Sequence, residues 1–374
     1  MIIRSQNKKP HFILNLADCE VPRESVKEIS VTLSIVAMSE MRATISTHRK
    51  KLSAIDFDGC FKYGAPAKVS MGYYDDCEPI FTGILVYADP AFPKDGEPTL
   101  TLVAYDDSAA LKKSGEQRNF NNKMAGGLVK EVLDNAKIGI GKIDDDVMNF
   151  ELNERVLQGD ESDAQIISVL SEEFGKFFWV DKGLAYFMDP TRGEPVKPSL
   201  VYNPLDAEKR GTESFLALAS FSPGLKIYDL YYKSMTKLET MSDDKSIEDS
   251  TDKAPQPFSP LGPRTAPSMI EEAIRLAARR YYLKPITEEE FSDAKKLAEL
   301  LANREFLNLV QGEGALEEGY NKLRAGEIRD VILHNFPNVD SVFSGKYLIS
   351  EITHIINDEG YSTSFRFLRN ALND

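Results

Sequence analysis

The stretch of sequence that decides the fold is residues 344–368, SGKYLISEITHIINDEGYSTSFRFL. In its second half two sets of side chains alternate, namely Tyr361, Thr363, Phe365 and Phe367 with Ser362, Ser364 and Arg366. A period of two predicts a strand with one face in a core and the other toward water. The segment 347–356 is rich in β-branched residues, and Gly360 supplies the positive φ that a short loop over 357–360 requires. This stretch therefore predicts a β-hairpin.

The first hundred residues carry further segments of alternating side chains. Apolar and polar residues alternate over 31–35, 67–71 and 100–104. Turn signals separate these segments at 58–59, at 63–66 and at 94–96. Short strands with frequent turns are typical of a small antiparallel barrel or sandwich. We therefore assign residues 1–110 to a first β-barrel domain.

From residue 111 the pattern changes to mixed α and β. Met124, Leu128, Val132 and Ala136 recur every four residues, as on one face of a helix. A second helix begins with a capping box between Ser162 and Gln165 and ends at Gly175, where a glycine stop belongs. Two short strands, 177–180 and 184–187, follow it as a hairpin. These elements predict an α/β insert domain over 111–205.

The remainder of the chain returns to β structure around a polar interruption. Residues 215–232, 306–310 and 328–334 read as strands, whereas 240–267 is acidic and rich in proline and predicts an extended linker. Capped helices are predicted at 268–282 and 287–302, separated by Pro285. The predicted fold class is α+β, mainly β: a second β-barrel domain comprises 206–239 plus 303–374, and 240–302 is the acidic linker with two helices.

Composition limits the classes of function. The chain has 374 residues and a formal net charge of -14, which argues against a surface that wraps nucleic acid or binds anionic membranes. No apolar run approaches the roughly 18 residues that span a bilayer, and no leader precedes the first polar residues, so we expect folding in the cytoplasm. Cys19, Cys60 and Cys77 are odd in number and form no CxxC pair, so we interpret them as ordinary thiols rather than as disulfide or zinc ligands.

The sequence contains no convincing constellation for catalysis or metal binding. None of the common hydrolase, phosphate-binding or metalloprotease motifs is present, and the four histidines lie far apart. We interpret Asp144-Asp145-Asp146 and Asp243-Asp244 as solvated charge, Gly312-Glu313-Gly314 as a turn or bulge, and Trp179 as a packed core aromatic. No catalytic residue, cofactor or metal ligand is predicted.

Three segments, taken in order, resemble the phage late control D family. These are the tail hub proteins of contractile phages, with relatives in bacteriocins, injection systems and the hub part of type VI secretion spike proteins. The matched segments are 81–106, 161–187 and 344–369, and the positions that carry the resemblance are Gly83, Asp106, Gly175, Gly345, Tyr347, His354, Gly360, Tyr361 and Thr363. For His354 we favour a structural role, in which its ring is packed and hydrogen-bonded inside the barrel.

The resemblance implies two similar small β-barrels side by side in one chain. Three chains would close into a ring whose six barrels imitate the sixfold tail tube. The chain would then be a homotrimeric baseplate adaptor in a virion or phage-tail-like particle, in contact with the tail tube protein, the central spike protein and other baseplate proteins. DNA could pass through its lumen without specific binding, the acidic charge is expected to line that lumen, and no direct membrane insertion is implied.

The chain differs from the family in one respect, and two alternative functions remain beside the baseplate hub. Type VI spike proteins continue into a second barrel type and a β-helix, whereas this chain ends at Asp374 after the hairpin, so the spike is expected to be a separate polypeptide. The first alternative is a tail-tip cell-wall hydrolase. The second is a standalone β-rich binding module.

Overall fold

The structure is a computed structural model that describes residues 9–46, 61–112, 119–120, 124–150, 155–156, 162–202, 214–227, 233–239, 247–250, 259–273, 281–287, 303–334 and 339–373. Thirteen of its strands form one sheet, and the rest form small sheets of two or three strands. The predicted fold class, α+β and mainly β, is confirmed. The predicted hairpin is also confirmed, with the side chains 361, 363, 365 and 367 buried and 362, 364 and 366 exposed.

The first barrel is antiparallel and nearly contiguous in sequence. Its strands are β1 (Pro10–Leu16), β2 (Cys19–Glu20), β3 (Val26–Ser34), β4 (Glu40–Ser46), β5 (Pro66–Tyr73), β6 (Asp76–Ala91) and β7 (Thr99–Asp106). They pair in the order β2-β1-β5-β6-β7-β4-β3 around one apolar core. Within the described part of the chain no ladder joins β1 to β3. The segment 21–25 covers that edge, where the Val21 N–H donates to the Leu14 carbonyl at 2.8 Å and the Arg23 guanidinium lies over the Phe12 ring.

The insert follows the first barrel and packs helices on a small sheet. Its elements are β8 (Asn119–Phe120), α1 (Ala125–Asn135), β9 (Gly139–Ile143), α2 (Asp145–Met148), β10 (Arg155–Val156), α3 (Asp163–Glu173), β11 (Phe177–Asp181) and β12 (Leu184–Met188). The sheet order is β11-β12-β9, and α1 and α3 share a core with it. The capping box of Ser162 and Gln165 is present, and Gly175 has φ +56° just after α3. Both predictions for this helix are confirmed.

The second barrel is assembled from distant segments. The remaining elements are β13 (Ser199–Tyr202), β14 (Phe215–Leu225), β15 (Lys233–Glu239), β16 (Ile247–Ser250), β17 (Arg264–Thr265), α4 (Ala266–Ala273), β18 (Tyr281–Thr287), β19 (Val310–Leu316), β20 (Ile328–Ile332), α5 (Val339–Phe343), β21 (Gly345–Asn357), β22 (Gly360–Arg369) and β23 (Ala371–Leu372). Strands β21-β20-β13-β14-β19-β22 close on themselves, because β22 also pairs with β21. The barrel is mixed: β13 runs parallel to both of its neighbours.

Strand β21 joins the two barrels. Its first residues, 345–348, pair with β20 of the second barrel. Its residues 351–356 pair with β3 of the first barrel, in the register Glu351 opposite Ser34 to Ile356 opposite Ile29. Strand β22 pairs with β21 along almost its whole length. One hairpin therefore belongs to both barrels.

The strand pairing differs from the predicted organisation at several places, although the domain division as a whole stays a prediction. Strand β13, which we assigned to the insert, pairs with β14 and β20 of the second barrel, because its Leu200 packs into the core of that barrel. Strand β15 pairs with β16 and β18 in a separate sheet. Because β16 lies within 240–267, part of the expected linker is a strand. The helix expected at 268–282 is matched only in part: α4 begins at Ala266, so Ser268 lies inside it instead of capping it, and the residues after Ala273 up to 280 lie outside the described ranges. Residues 281–287 are a strand. The helix expected at 287–302 lies outside the described residues from 288 onward.

Three smaller predictions are wrong for identifiable reasons. Residues 307–309 form a 3-10 turn, and the strand begins only at Val310. Gly312 and Gly314 lie inside that strand instead of a turn, because both pair with β14 on one side and β22 on the other. Glycine is required there because a Cβ at either would come within 2.7 Å of the Phe367 or Phe365 ring. Cys19 is disulfide-bonded, although an odd number of cysteines had suggested ordinary thiols; Cys77 is free.

Candidate functional site: the seam between the two barrels

Four of the nine positions that carry the family resemblance, His354, Gly360, Tyr361 and Thr363, lie where the hairpin passes from one barrel to the other. We call this region the seam and define it as residues 350–363 of the hairpin together with the bridging loop 317–327. Ile356 and Tyr361 belong to the core of the first barrel. Ile352 and Phe365, on the same two strands, belong to the core of the second. The two cores therefore lie on the same two strands, on either side of the seam.

A buried polar network lies at the centre of the seam. His354 is 0 % exposed, and its Nδ1 lies 2.9 Å from the Tyr361 hydroxyl and 3.1 Å from Thr363 Oγ1. Complete burial lowers the pKa of His354 to about 3, and the charge of Arg324 acts in the same direction. Burial also raises the pKa of Tyr361. The network is therefore neutral near pH 7 and holds the hairpin strands together by hydrogen bonds.

The bridging loop seals this network from one side. The Gly319 N–H donates to the Tyr361 carbonyl at 3.1 Å, and the Tyr320 N–H donates to Thr363 Oγ1 at 2.9 Å. A Cβ at Gly319 would lie 2.2 Å from the Tyr361 ring, so only glycine allows the loop this close. The loop thus continues the hydrogen bonding of β22 beyond the point where β19 ends.

The same loop binds the first barrel through its β5–β6 turn. Asn321 is buried, and its Nδ2 donates to the carbonyls of Met71 at 3.0 Å and Asp76 at 2.8 Å. Lys322 Nζ lies 3.1 Å from the Asp76 carboxylate and 3.4 Å from that of Glu78. An amide that satisfies two backbone acceptors fixes position more than a solvated ion pair does. Asn321 is therefore the main tether of the loop to the first barrel.

The insert is held by the loop as well. The Arg324 guanidinium forms an ion pair with Asp181 at the end of β11, and its Nη2 donates to the Ile80 carbonyl of β6 at 3.0 Å. Gly326 has φ +88° and packs on the Trp179 ring, which itself stacks on Tyr186 at 5.1 Å. Trp179 is 8 % exposed, which confirms the core interpretation. One loop thus connects both barrels and the insert.

The remaining positions of the resemblance are placed around this seam. Asp106 is buried at the end of β7, where its carboxylate accepts the N–H groups of Ser39 at 2.6 Å and Ser108 at 2.9 Å. Burial raises the pKa of Asp106, and these hydrogen bonds oppose the rise. Gly83 faces the Tyr105 carbonyl, and a Cβ there would lie 2.0 Å from that oxygen. Both residues fix the entry from the first barrel into the insert.

Tyr347 and Gly345 surround a buried arginine that the sequence did not reveal. Arg369 is 0 % exposed and donates to the Ser344 carbonyl at 3.1 Å, the Tyr347 hydroxyl at 3.3 Å and Asn373 Oδ1 at 3.0 Å. Its guanidinium carbon lies 4.8 Å from the centre of the Tyr347 ring. A Cβ on Gly345 would be 2.7 Å from Arg369 Nη2. The one sequence feature that could have predicted this buried arginine is its position at the end of a strand with alternating side chains.

Gly360, the remaining position on the hairpin, forms the turn between β21 and β22 with φ +138°.

A second buried ion network lies in the insert and corrects a prediction. Asp144, interpreted as solvated charge, is buried and accepts from the buried Lys176 Nζ at 3.0 Å. Lys176 also reaches Asp146 at 2.8 Å, and Arg192 reaches it at 3.0 Å. Burial acts to raise the pKa of Asp146, but its hydrogen bonds and charge pairs with these two cations outweigh burial and lower it. Asp144 and Asp146 thus both form ion pairs with the buried Lys176 of the insert.

The outer face of the shared sheet is polar across both barrels. From β14 through β22 and β21 to β3 and β4 it presents exposed or half-buried side chains, chiefly Ser222, Glu313, Ser364, Arg366, Glu351, Thr353, Thr32 and Arg42. Thr32 and Thr353 hydroxyls lie 3.2 Å apart across the β3–β21 ladder. Arg366 pairs with Glu351 at 3.3 Å, and Arg42 pairs with Glu40. The face is rich in hydroxyls, and its basic groups are neutralised.

The described residues contain no group of three or more potential ligands that could hold a metal ion. No helix in the described ranges has the length and apolar character needed to cross a membrane. The seam residues form hydrogen bonds and ion pairs with one another, and such an arrangement fixes domains in place.

No protein family model and no curated protein sequence matches the chain. Solved structures do match. A 43 kDa tail protein of prophage MuSo2 from Shewanella oneidensis superposes with a TM-score of 0.67 at 14% identity, over 97% of this chain and 100% of that one. A tail protein from Neisseria meningitidis MC58 gives 0.66 at 11% identity, over 97% of each chain.

A third structure extends the comparison to secretion systems. An E. coli component of the type VI secretion system, described as structurally similar to T4 bacteriophage tail proteins, gives a TM-score of 0.57 at 11% identity. The match covers 95% of this chain and 76% of that chain. At these identities the likeness establishes the fold. The fold expected from the resemblance in the sequence is therefore confirmed.

Proposed function

We propose that the chain is a structural baseplate hub, a homotrimeric adaptor between a hexameric tail tube and a trimeric central spike. The observation that carries the proposal is strand β21, which pairs with β20 of the second barrel and with β3 of the first. This pairing fixes two barrels side by side in one rigid body. Three copies then supply six barrels, which is the number that a sixfold tube presents.

The seam supports this role because an adaptor between rings of different symmetry has to keep its barrels in register. The bridging loop is fastened to the first barrel by Asn321, to the insert by Arg324 and to the hairpin by Gly319 and Tyr320. These contacts are largely buried, so they resist bending between the barrels. A loosely linked pair of domains would rely on exposed contacts alone.

The outer face of the shared sheet supports a passage through the ring. In our proposal this face lines the lumen, so a transported polymer meets hydroxyls and neutralised charges. Lysine-rich walls would instead grip DNA phosphates in a salt-dependent way. The expected partners are the tail tube protein, the central spike protein and other baseplate proteins, and the expected location is a virion tail or a phage-tail-like particle assembled in the bacterial cytoplasm.

The proposal assigns no catalytic residue. The competing function is a cell-wall hydrolase at the tail tip, and a peptidoglycan lysis assay with purified protein separates the two. We expect no lysis above buffer. Lysis that is abolished by one carboxylate substitution, such as Asp106→Asn with the fold intact by circular dichroism, would support the hydrolase.

The oligomeric state separates the hub from a standalone binding module. We expect light scattering to give three times the 41.9 kDa chain mass, either alone or with the tube and spike proteins of the same particle. A persistent monomer at micromolar concentration with both partners present contradicts the hub. The matched comparison is the same mixture without the spike protein, which shows whether trimerisation needs it.

A further inference from the structure

The hairpin of β6 and β7 extends beyond the first barrel as an exposed arm. We define the arm as residues 87–98; within it, residues 91–98 are all exposed. Residues 87–91 of β6 pair with β7, whereas β5 reaches only as far as Ile84. Phe92 at the tip is 79% exposed, more than any other large apolar side chain of the described residues. Pro90 and Pro93 flank it, so its backbone is stiff.

An apolar cleft lies at the other end of the same barrel. It has a volume of about 210 Å³ and lies between residues 35–38 and the α3–β11 side of the insert. Its apolar lining includes Ile35, Val36, Phe178 and Trp179. Its charged residues are the exposed Lys112, the half-buried Arg304 and the buried Asp106. Val36 is 58% exposed, so the cleft has an open apolar lip.

The arm and the cleft are complementary in size and charge. A cavity of about 150 Å³ lined by apolar side chains accepts benzene, so this cleft has room for a phenyl ring. The arm carries Asp89, Asp95 and Glu97 against the single Lys94. Glu97 already pairs with Lys27 at 3.5 Å, so Asp89 and Asp95 are the carboxylates that face a partner. An arm with an aromatic tip and exposed carboxylates fits an apolar cleft whose exposed charged residue, Lys112, is basic.

The arm cannot fill the cleft of its own chain. Strand β7 begins at the arm with Thr99 and ends beside the cleft with Asp106, which itself lines the cleft. Eight residues of extended strand hold the two ends roughly 25 Å apart. Because the arm and the cleft lie at opposite ends of one rigid strand, the arm of one molecule can reach only the cleft of another molecule.

We propose that Phe92 of one copy inserts into the cleft of a neighbouring copy and that this contact joins subunits of the trimer. The inference rests on the proposed homotrimer and identifies its contact. The contact is heterologous, because the two surfaces differ, and such contacts generate closed rings when each step rotates by a fixed fraction of a turn. Phe92 is the anchor, since aromatic side chains in desolvated pockets dominate interface energies.

Two substitutions test the contact from its two sides. Phe92→Ala removes the knob, and Ala37→Trp fills the lip of the cleft with a side chain that starts from an exposed position. We expect each to weaken trimerisation at least tenfold by concentration-dependent light scattering. Tyr63→Ala is the matched control, because Tyr63 is 66% exposed on the first barrel and lies outside the arm and the cleft. It should leave trimerisation unchanged.

Trp179 provides an independent readout, since it is the only tryptophan and lines the cleft. We expect acrylamide to quench its fluorescence less in the wild-type trimer than in Phe92→Ala at the same concentration. Charge reversal is a third test. We expect Lys112→Glu to weaken trimerisation and the double variant with Asp95→Lys to restore part of it.

The outcomes separate this contact from the hub proposal. A Phe92→Ala protein that trimerises as the wild type does overturns the contact and leaves the hub standing. A wild-type chain that stays monomeric with tube and spike proteins present overturns both. Open-ended filaments that require Phe92 would support the contact and contradict threefold closure.

Discussion

The two barrels of this chain share a sheet but are built in different ways. The first uses antiparallel strands from residues 10–106, and its core is apolar apart from the seam. The second closes six strands drawn from residues 199–369, two of its ladders are parallel, and its interior includes Arg369 and Arg329. Local hairpins therefore build the first barrel, whereas buried polar groups hold distant segments together in the second.

This difference indicates where each barrel is vulnerable. An apolar core loses stability in proportion to the volume removed, and its neighbours relax into part of the space. Removing a buried guanidinium that donates to several acceptors takes a donor from each of them and leaves those with no second partner unsatisfied. We therefore expect substitutions of buried polar groups in the second barrel and at the seam to lower the unfolding free energy more than substitutions of exposed polar groups in the first barrel.

The largest effect is expected for Arg369→Met. The change removes the donors for the Ser344 and Leu261 carbonyls and for Asn373, so we expect a loss of about 3 kcal/mol of unfolding free energy. Urea denaturation followed by circular dichroism measures it. Arg42→Met, on the exposed face of the first barrel, is the matched control and should cost less than about 1 kcal/mol. Equal losses in the two variants would remove the proposed contrast.

Gly319→Ala tests the close approach at the seam. The added Cβ meets the buried Tyr361 ring at 2.2 Å, so the loop has to move away, and we expect a loss of roughly 2 kcal/mol. Gly64→Ala in the first barrel is the comparison, because its Cβ meets nothing within 4 Å and only its φ of +79° is strained, at about 1 kcal/mol. Trp179 fluorescence should report the seam variant alone. A larger loss for Gly64→Ala would contradict the tight seam.

The seam should also depend on pH through His354. Its folded pKa of about 3 lies below the ordinary value of 6.5, so the unfolded chain binds the proton first as pH falls. Stability from this group is complete above pH 6.5 and declines from there toward pH 3, by at most about 1.4 kcal/mol per pH unit. His354→Asn should flatten the curve of stability against pH between 6.5 and 5. Tyr361→Phe, which keeps the imidazole, should retain the slope; an unchanged slope in His354→Asn would show that another group causes it.

The smallest effect is expected on the polar face. Thr353→Val removes the hydroxyl contact with Thr32 across the β3–β21 ladder, where both side chains are half-buried. We expect less than about 1 kcal/mol, because water replaces the lost partner. A thermal shift assay measures it, with Thr101→Val on β7 as the control within the first barrel. A loss above 2 kcal/mol would mean that the face is a packed interface.

The sequence predicted the parts of this fold in which periodicity and turn chemistry act locally. The hairpin 344–368, the strands of the first barrel and the capped helix α3 were readable because neighbouring residues determine them. The pairing of β21 with β3 joins residues more than three hundred positions apart, and no local pattern encodes such a register. The domain of β13 could not be predicted either, because a short apolar strand is compatible with both the insert and the second barrel.

The seam was predictable only in part. His354, Tyr361 and Thr363 were identified together because they lie on one hairpin, and a structural role for His354 stays a prediction that its burial supports. The bridging loop was missed: Asn321, Lys322 and Arg324 act through partners on β5, β6 and β11 that only folding brings near. Asp144 was misread for the same reason, since its partner Lys176 lies 32 positions away.

The most direct test of the account is a low-resolution electron microscopy map of the purified protein, with tube and spike proteins added if it is monomeric alone. We expect a threefold ring whose wall contains six similar barrel densities around an open channel, with neighbouring barrels joined in pairs by the seam. A particle with one barrel density per repeat, with twofold symmetry or with no channel would contradict it.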